Sequence, residues 1–181
     1  ILPPQVETRD EGPFGEWPGY YISGSRQEAA FKVKAILHRN SPIIQGNPPL
    51  IPYAATSLGY SQRRAAVVWE ELDRQIPGVK GVWSVPQAMG PHMIIISLKQ
   101  EYPGHAKQAA LIAAGCNAIA YMNRYVIVVD EDIDPSNMSD VLWAIGTRLD
   151  LENAVDIIRG CWGGFADAIL SPEKKARGDW T

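Results

Sequence analysis

Residues 92–115 read "HMIIISLKQEYPGHAKQAALIAAG", and two different periodicities meet inside them. Residues 92–98 are apolar at nearly every position, as in a strand buried on both faces. Residues 105–115 are alanine-rich and end at Gly115, as in a helix stopped by a residue free to turn left-handed. A buried strand that leads into a helix belongs to an α/β layer, because the helix must cover a face of the sheet. The alternation continues outward on both sides. "GVWSV" at 81–85 and "YVIVV" at 125–129 read as strands, the second again buried. Ala65, Val68, Trp69, Leu72 and Ile76 recur at helical spacing, with Ser61 as candidate N-cap and Pro77-Gly78 as the stop. Met138, Val141, Leu142, Ile145 and Leu149 define another helix with Pro135 near its first turn, and "AVDII" at 154–158 continues the series as a strand. Strand, helix, strand, helix, strand predicts an α/β domain with a mainly parallel sheet.

The N-terminal part has a different texture. Residues 1–24 are punctuated by Pro3, Pro4, Gly12, Pro13, Gly15, Pro18 and Gly19 and read as irregular. "AAFKVKAILH" at 29–38 alternates Phe31, Val33, Ala35 and Leu37 with polar residues, the period of a half-buried strand in an antiparallel sheet or barrel. "NSPIIQGNPPLIP" at 40–52 then breaks regular structure and reads as a linker, so the whole chain is α+β in organisation.

Composition removes several function classes. Seventeen basic and 20 acidic residues among 181 give a formal charge of -3, with no lysine or arginine run to follow a phosphate backbone, so nucleic acid is not the expected partner. No stretch is long and apolar enough to cross a membrane, and residues 1–10 lack the features of a signal peptide. Cys116 and Cys161 stand far apart in apolar settings, as expected of reduced thiols in a cytoplasmic protein. The chain opens at Ile1 and stops at "RGDWT", which leads to the expectation of a piece of a longer polypeptide.

Four groups of residues are candidates for chemistry. "VVDEDIDP" places Asp130, Glu131, Asp132 and Asp134 after a strand and before a helix. Ligands collect outside the carboxyl ends of strands, so a divalent metal or receiver-like phosphate-transfer site built on Asp130 and Asp132 is one reading; acids that cap the following helix are the plainer one. His38, His92 and His105 show no metal-ligand spacing. "RGCWGGF" at 159–165 lacks the lysine and hydroxyl of a phosphate loop and reads as a tight crossing of backbone. The fourth group is Glu11 and Glu16 in "EGPFGEWPGYY", where glycine and proline force a bent path. It is either a solvated turn or a site in which two nearby acids divide acid and base roles.

"EGPFGEWPGYY" resembles the signature of the UbiD family, decarboxylases that use prenylated FMN on aromatic, heteroaromatic and α,β-unsaturated acids. "SLKQEYPGHAKQ" at 97–108, "VIVVDEDIDPSNMSDVLWAIGTR" at 126–148 and "GCWGGF" at 160–165 support the resemblance in the same order, across nearly the whole chain. It implies that Glu16 is the general acid returning a proton to the decarboxylated carbon, and that Glu11 holds the catalytic arginine. It also implies that Tyr121 and Phe165 touch substrate, and that the backbone at Thr147-Arg148 helps hold K+. The family's catalytic arginine, its Mn2+ or Mg2+ ligands and most of its flavin surface precede the signature, so this chain alone is expected to be inactive. The implied organisation is the end of a split β-barrel flavin-binding domain at 1–48, followed by an α/β oligomerisation domain at 49–181 that forms a homodimer or higher homo-oligomer and is cut short at its C-terminal end. The resemblance also recasts the acidic cluster as part of that oligomerisation domain. The alternative is a non-catalytic α/β module, or a subunit that needs a separate flavin-bearing chain.

Overall fold

The computed structural model describes residues 7–44, 46, 56–88 and 92–181. The first sheet is a two-stranded antiparallel ladder of β1 (Thr8–Glu11) and β2 (Arg26–Ala29), whose register sets Glu11 opposite Arg26. α1 (Thr56–Asp73) follows, then β3 (Val79–Ser84), β4 (Met93–Leu98), α2 (His105–Gly115), β5 (Tyr125–Asp130), α3 (Met138–Arg148) and the short α4 (Pro172–Ala176). Strands β3, β4 and β5 form one sheet in that order. β4 is antiparallel to β3 and parallel to β5. The sheet is therefore mixed where a mainly parallel one was expected, because β3 reaches β4 by a short connection that reverses the chain.

β4 separates two cores. Side chains alternate across a strand, so Ile94, Ile96 and Leu98 pack with Val68 and Leu72 of α1 and Ala109 and Ala113 of α2. Ile95 faces the other way, into Val129 of β5 and Val141 and Ala144 of α3. Ile94, Ile95 and Ile96 are all 0% exposed, which makes β4 buried on both faces as its composition predicts. β5 is not. It lies at the sheet edge among the described residues, and only Val129 in it is buried.

Two apolar stretches and two helix starts depart from their sequence patterns. Only Ala29 of the predicted strand 29–38 lies in a strand; residues 31–39 pair with nothing described, and Phe31, Val33 and Leu37 are exposed. Alternation assigns faces only where a neighbouring strand supplies hydrogen bonds and a core covers one side, and neither is present among the described residues. "AVDII" at 154–158 likewise forms no strand, with Val155, Ile157 and Ile158 exposed. The linker at 40–52, with the boundary expected between 48 and 49, lies largely outside the described residues. Pro135 precedes α3, whose cap is Asn137, with Oδ1 accepting from the Ser139 N–H at 3.1 Å.

Ser61 is not an N-cap, since α1 begins at Thr56 and Ser61 lies in its interior, fully buried with its hydroxyl unpartnered. A helix cap lost to alanine would cost about 1 kcal/mol, whereas removing an orphan hydroxyl and gaining helix propensity is favourable. Ser61→Ala is thus expected to leave stability unchanged or raise it by about 0.5 to 1 kcal/mol in urea unfolding, and a loss of 1 kcal/mol or more would restore the capping role.

Candidate active site

The bend between Glu11 and Glu16 turns on Gly12, held in a conformation that other residues avoid. Gly12 has φ +83°, and a Cβ on it would stand 3.4 Å from the Gly24 carbonyl oxygen. The Gly12–Pro13 peptide bond is cis. Beyond it the Gly19 N–H donates to the Glu16 carbonyl at 2.8 Å and the Glu16 N–H donates to the Tyr20 carbonyl at 2.9 Å. This closes a small loop that leaves Glu16 half-buried. The Trp17 N–H donates to Glu16 Oε2 at 3.3 Å, so the side chain is held by the backbone of its own neighbour.

The two glutamates open onto one cavity, lined by Glu11, Gly12, Phe14, Glu16, Ile22, Ser23, Arg26 and Phe165. Arg26 was not singled out from the sequence. It reaches the cavity because the β1–β2 register puts it across from Glu11, a pairing of "TRDE" with "RQEA" that opposite charges could have suggested. Its Nη2 lies 3.9 Å from Glu11 Oε2 and its Nε 2.5 Å from Glu28 Oε1.

Phe165 comes from the other end of the chain, and the glycines before it explain how. A Cβ on Gly163 would lie 1.9 Å from the Trp180 carbonyl oxygen, and one on Gly164 would lie 2.0 Å from the Tyr121 hydroxyl oxygen. "RGCWGGF" is therefore the tight backbone crossing that its composition predicts. Lys175 Nζ donates to the Ile22 carbonyl at 3.0 Å, tying the C-terminal segment to the glutamate-bearing one. Tyr121 does not line the cavity; it packs against Gly164 from behind and meets Trp162 edge-on at 5.3 Å. Trp17, next to Glu16, lies 5.6 Å from His92, whose pKa is lowered by burial and then by Arg124, itself paired with the buried Asp167.

The acidic cluster does not cap a helix through Asp130 and Asp132. Arg148, in the last turn of α3, returns to both: Nη1 donates to Asp130 Oδ2 at 3.0 Å and to Asp132 Oδ1 at 2.8 Å, and Nη2 donates to Asp132 Oδ2 at 2.7 Å. The guanidinium supplies the positive charge that a divalent ion would bring, and no group of three or more His, Cys, Asp or Glu among the described residues could hold a metal ion. Asp134 instead caps a local turn, accepting from the Ser136 N–H at 2.8 Å. The cavity likewise does not suit a flavin phosphate. Its two carboxylates would repel that dianion, and the guanidinium of Arg26, the one cation among the described lining residues, is already engaged by Glu28 and Glu11.

Family comparison places the chain. Residues 58–177 match the 3-octaprenyl-4-hydroxybenzoate carboxy-lyase C-terminal domain and residues 1–52 match the Rift-related domain of the same family. The chain belongs to the UbiD family. It is 36% identical over 172 residues to a phenolic acid decarboxylase from Sedimentibacter hydroxybenzoicus, covering 93% of this chain and 34% of that protein. Its fold is similar to the closed form of the vanillic acid decarboxylase of that organism, with TM-score 0.80 and 34% identity, over 93% of this chain and 35% of the other. It is also similar to an evolved dimeric form of the UbiD-class enzyme HmfF from Pelotomaculum thermopropionicum in complex with prFMN, with TM-score 0.70 and 30% identity, over 86% of this chain and 35% of the other. The chain spans about a third of the length of these relatives. No described helix is long and apolar enough to cross a membrane.

Two outcomes follow from this geometry. Gly163→Ala forces Trp180 backbone out of place, so it is expected to destabilise the C-terminal segment and to increase its cleavage in limited proteolysis, with the α/β core unaffected. Hydrogen bonding to Arg148 holds the Asp132 carboxyl below its usual pKa. A carboxylate with a depressed folded pKa contributes stability that is present above its unfolded value, near 4, and is lost as pH falls through the folded value. Acid unfolding below pH about 4 should therefore be shallower in Arg148→Gln than in the parent, and identical acid limbs would mean that the pair contributes nothing.

Proposed function

We propose that this chain carries the proton-donating half of a UbiD-type active site, in which Glu16 acts as general acid in the reversible non-oxidative decarboxylation of an aromatic, heteroaromatic or α,β-unsaturated acid. The observation that supports it best is the convergence of Glu11, Glu16 and Phe165 on one cavity, from segments some 150 residues apart. Prenylated FMN, when bound, would supply the sink for the electron pair left on the substrate when carbon dioxide departs. Glu16 gives a proton to the substrate carbon and recovers one from solvent. Its half-buried position lets it reach both. Glu11 orients the catalytic arginine, which in the family lies before the signature, by charge-assisted hydrogen bonds. Phe165 supports the substrate ring, and Tyr121 backs the glycine that positions it.

The same reading takes residues 1–48 as the end of a split-barrel flavin domain and 49–181 as the unit that builds a homo-oligomer. Leu142 and Trp143 stand exposed on α3, the kind of apolar surface that a second copy covers. Mn2+ or Mg2+ would be held elsewhere, since the described residues provide no ligand set. A potassium ion would meet the backbone carbonyls at Thr147-Arg148, at the open end of α3, where the helix dipole favours a cation.

Glu16→Gln in a polypeptide of the relatives' full length is expected to keep the flavin spectrum and lose turnover by a factor of at least about a hundred, because an amide has no proton to give. Carbon dioxide release and exchange of the substrate proton with deuterated solvent measure the loss, and an unchanged rate would remove Glu16 from the mechanism. The 181 residues alone should retain no prenylated FMN. Tight flavin binding by them would show that the anchor lies within this chain, while a longer polypeptide that binds flavin and decarboxylates nothing would favour the non-catalytic module.

A further inference from the structure

Arg26 faces three groups at once. One edge of its guanidinium meets carboxylates, Glu28 at 2.5 Å and Glu11 at 3.9 Å, and its face lies over the Phe165 ring at 4.3 Å. The same ring has Lys175 Nζ at 5.3 Å and the edge of Trp180 at 5.7 Å. Phe165 is thus held by one cation from the glutamate-bearing segment and a second from α4, while Lys175 also bonds the Ile22 carbonyl on the cavity wall.

We infer that Arg26 is a positioning residue that couples Glu11 to Phe165, so that the orientation of one acid and the width of the cavity are set together. This rests on the reading of Glu11 and Glu16 as the catalytic pair. A planar guanidinium has an edge that fits a carboxylate and a face that stacks on a ring, and it satisfies both in one orientation. If the Phe165 ring moves, Arg26 must rotate, and the edge that it offers to Glu11 turns with it. An ammonium in the same place has charge and no plane, so it transmits nothing of this kind. A bland surface ion pair would behave otherwise: it would contribute little, and its removal would affect every substrate alike.

The coupling makes the choice of substrate depend on a residue outside the acid pair. With Arg26 in place the ring is fixed, and it limits the width of any acid that approaches the two glutamates. With Arg26 gone the ring is free, and bulky acids lose less than small ones do.

The test uses the full-length, flavin-loaded enzyme and two aromatic acids of different width. Arg26→Gln should lower kcat/KM roughly tenfold for the narrow acid and less for the wide one, Arg26→Lys should recover only part of the loss, and Arg26→Gln combined with Phe165→Leu should lose clearly less than the two single losses multiplied together. Additive losses, equal losses on both acids or full recovery by lysine overturn the coupling. A second readout needs no turnover. The Asp167 N–H bonds to the Gly164 carbonyl at 2.9 Å across the Phe165 turn. In the flavin-free enzyme its deuterium exchange should quicken severalfold in Arg26→Gln, and unchanged exchange also overturns the proposal. Glu16→Gln measured beside these separates the two ideas: full turnover in it defeats the acid assignment, while the exchange and double-variant results still decide the role of Arg26.

Discussion

A strand with no side left for water organises the described α/β unit. Ile94, Ile95 and Ile96 of β4 are wholly buried, so helices must lie on both faces of the sheet, and α1 and α2 on one side and α3 on the other meet that demand. Because β4 is hydrogen-bonded on both edges, its ends are fixed in space. The chain leaving its carboxyl end carries Lys99 and Gln100 beside the acids that follow β5, and Arg148 closes that edge by bonding Asp130 and Asp132. Such a frame gives the C-terminal segment a rigid surface from which to reach back to residues 11–26.

That return is what makes the cavity. The glutamate-bearing bend could be held locally by its glycines, yet a wall of the cavity and a cation that steadies it arrive from residues 165 and 175. Two glycines make the approach possible, since any side chain at 163 or 164 would occupy space already filled by Trp180 or Tyr121. The specificity of the turn and the specificity of the wall are therefore separate properties, written in distant parts of the chain and joined by close packing.

The elements whose apolar residues sit at one clear period were legible in the sequence: β4, α2 and α3 lie within a residue or two of where their patterns put them. Ser61 misled because a serine before an apolar run is a common cap, and only the extension of α1 to Thr56 shows it to be interior. Residues 29–38 and 154–158 misled for a different reason. Alternating or continuous apolar residues state a preference for being covered, and they do not state whether anything described covers them. In the site, the resemblance of "EGPFGEW" singled out Glu11 and Glu16, and "GCWGGF" singled out Phe165. Arg26 stayed hidden, because its place opposite Glu11 is a fact of register between two short strands of four residues each, and neither has an apolar face to fix that register in advance.

The two cysteines divide cleanly by accessibility: Cys116 is buried in the core beside Ala113 and Ile119, while Cys161 is exposed two residues before Gly163. A thiol-reactive dye applied to the native chain would mark one position, and that position belongs to the segment that swings the aromatic wall into place. The molecule thus contains its own attachment point for a fluorescent gauge, one that reports on how the C-terminal strap rides against the body of the protein without any engineered residue.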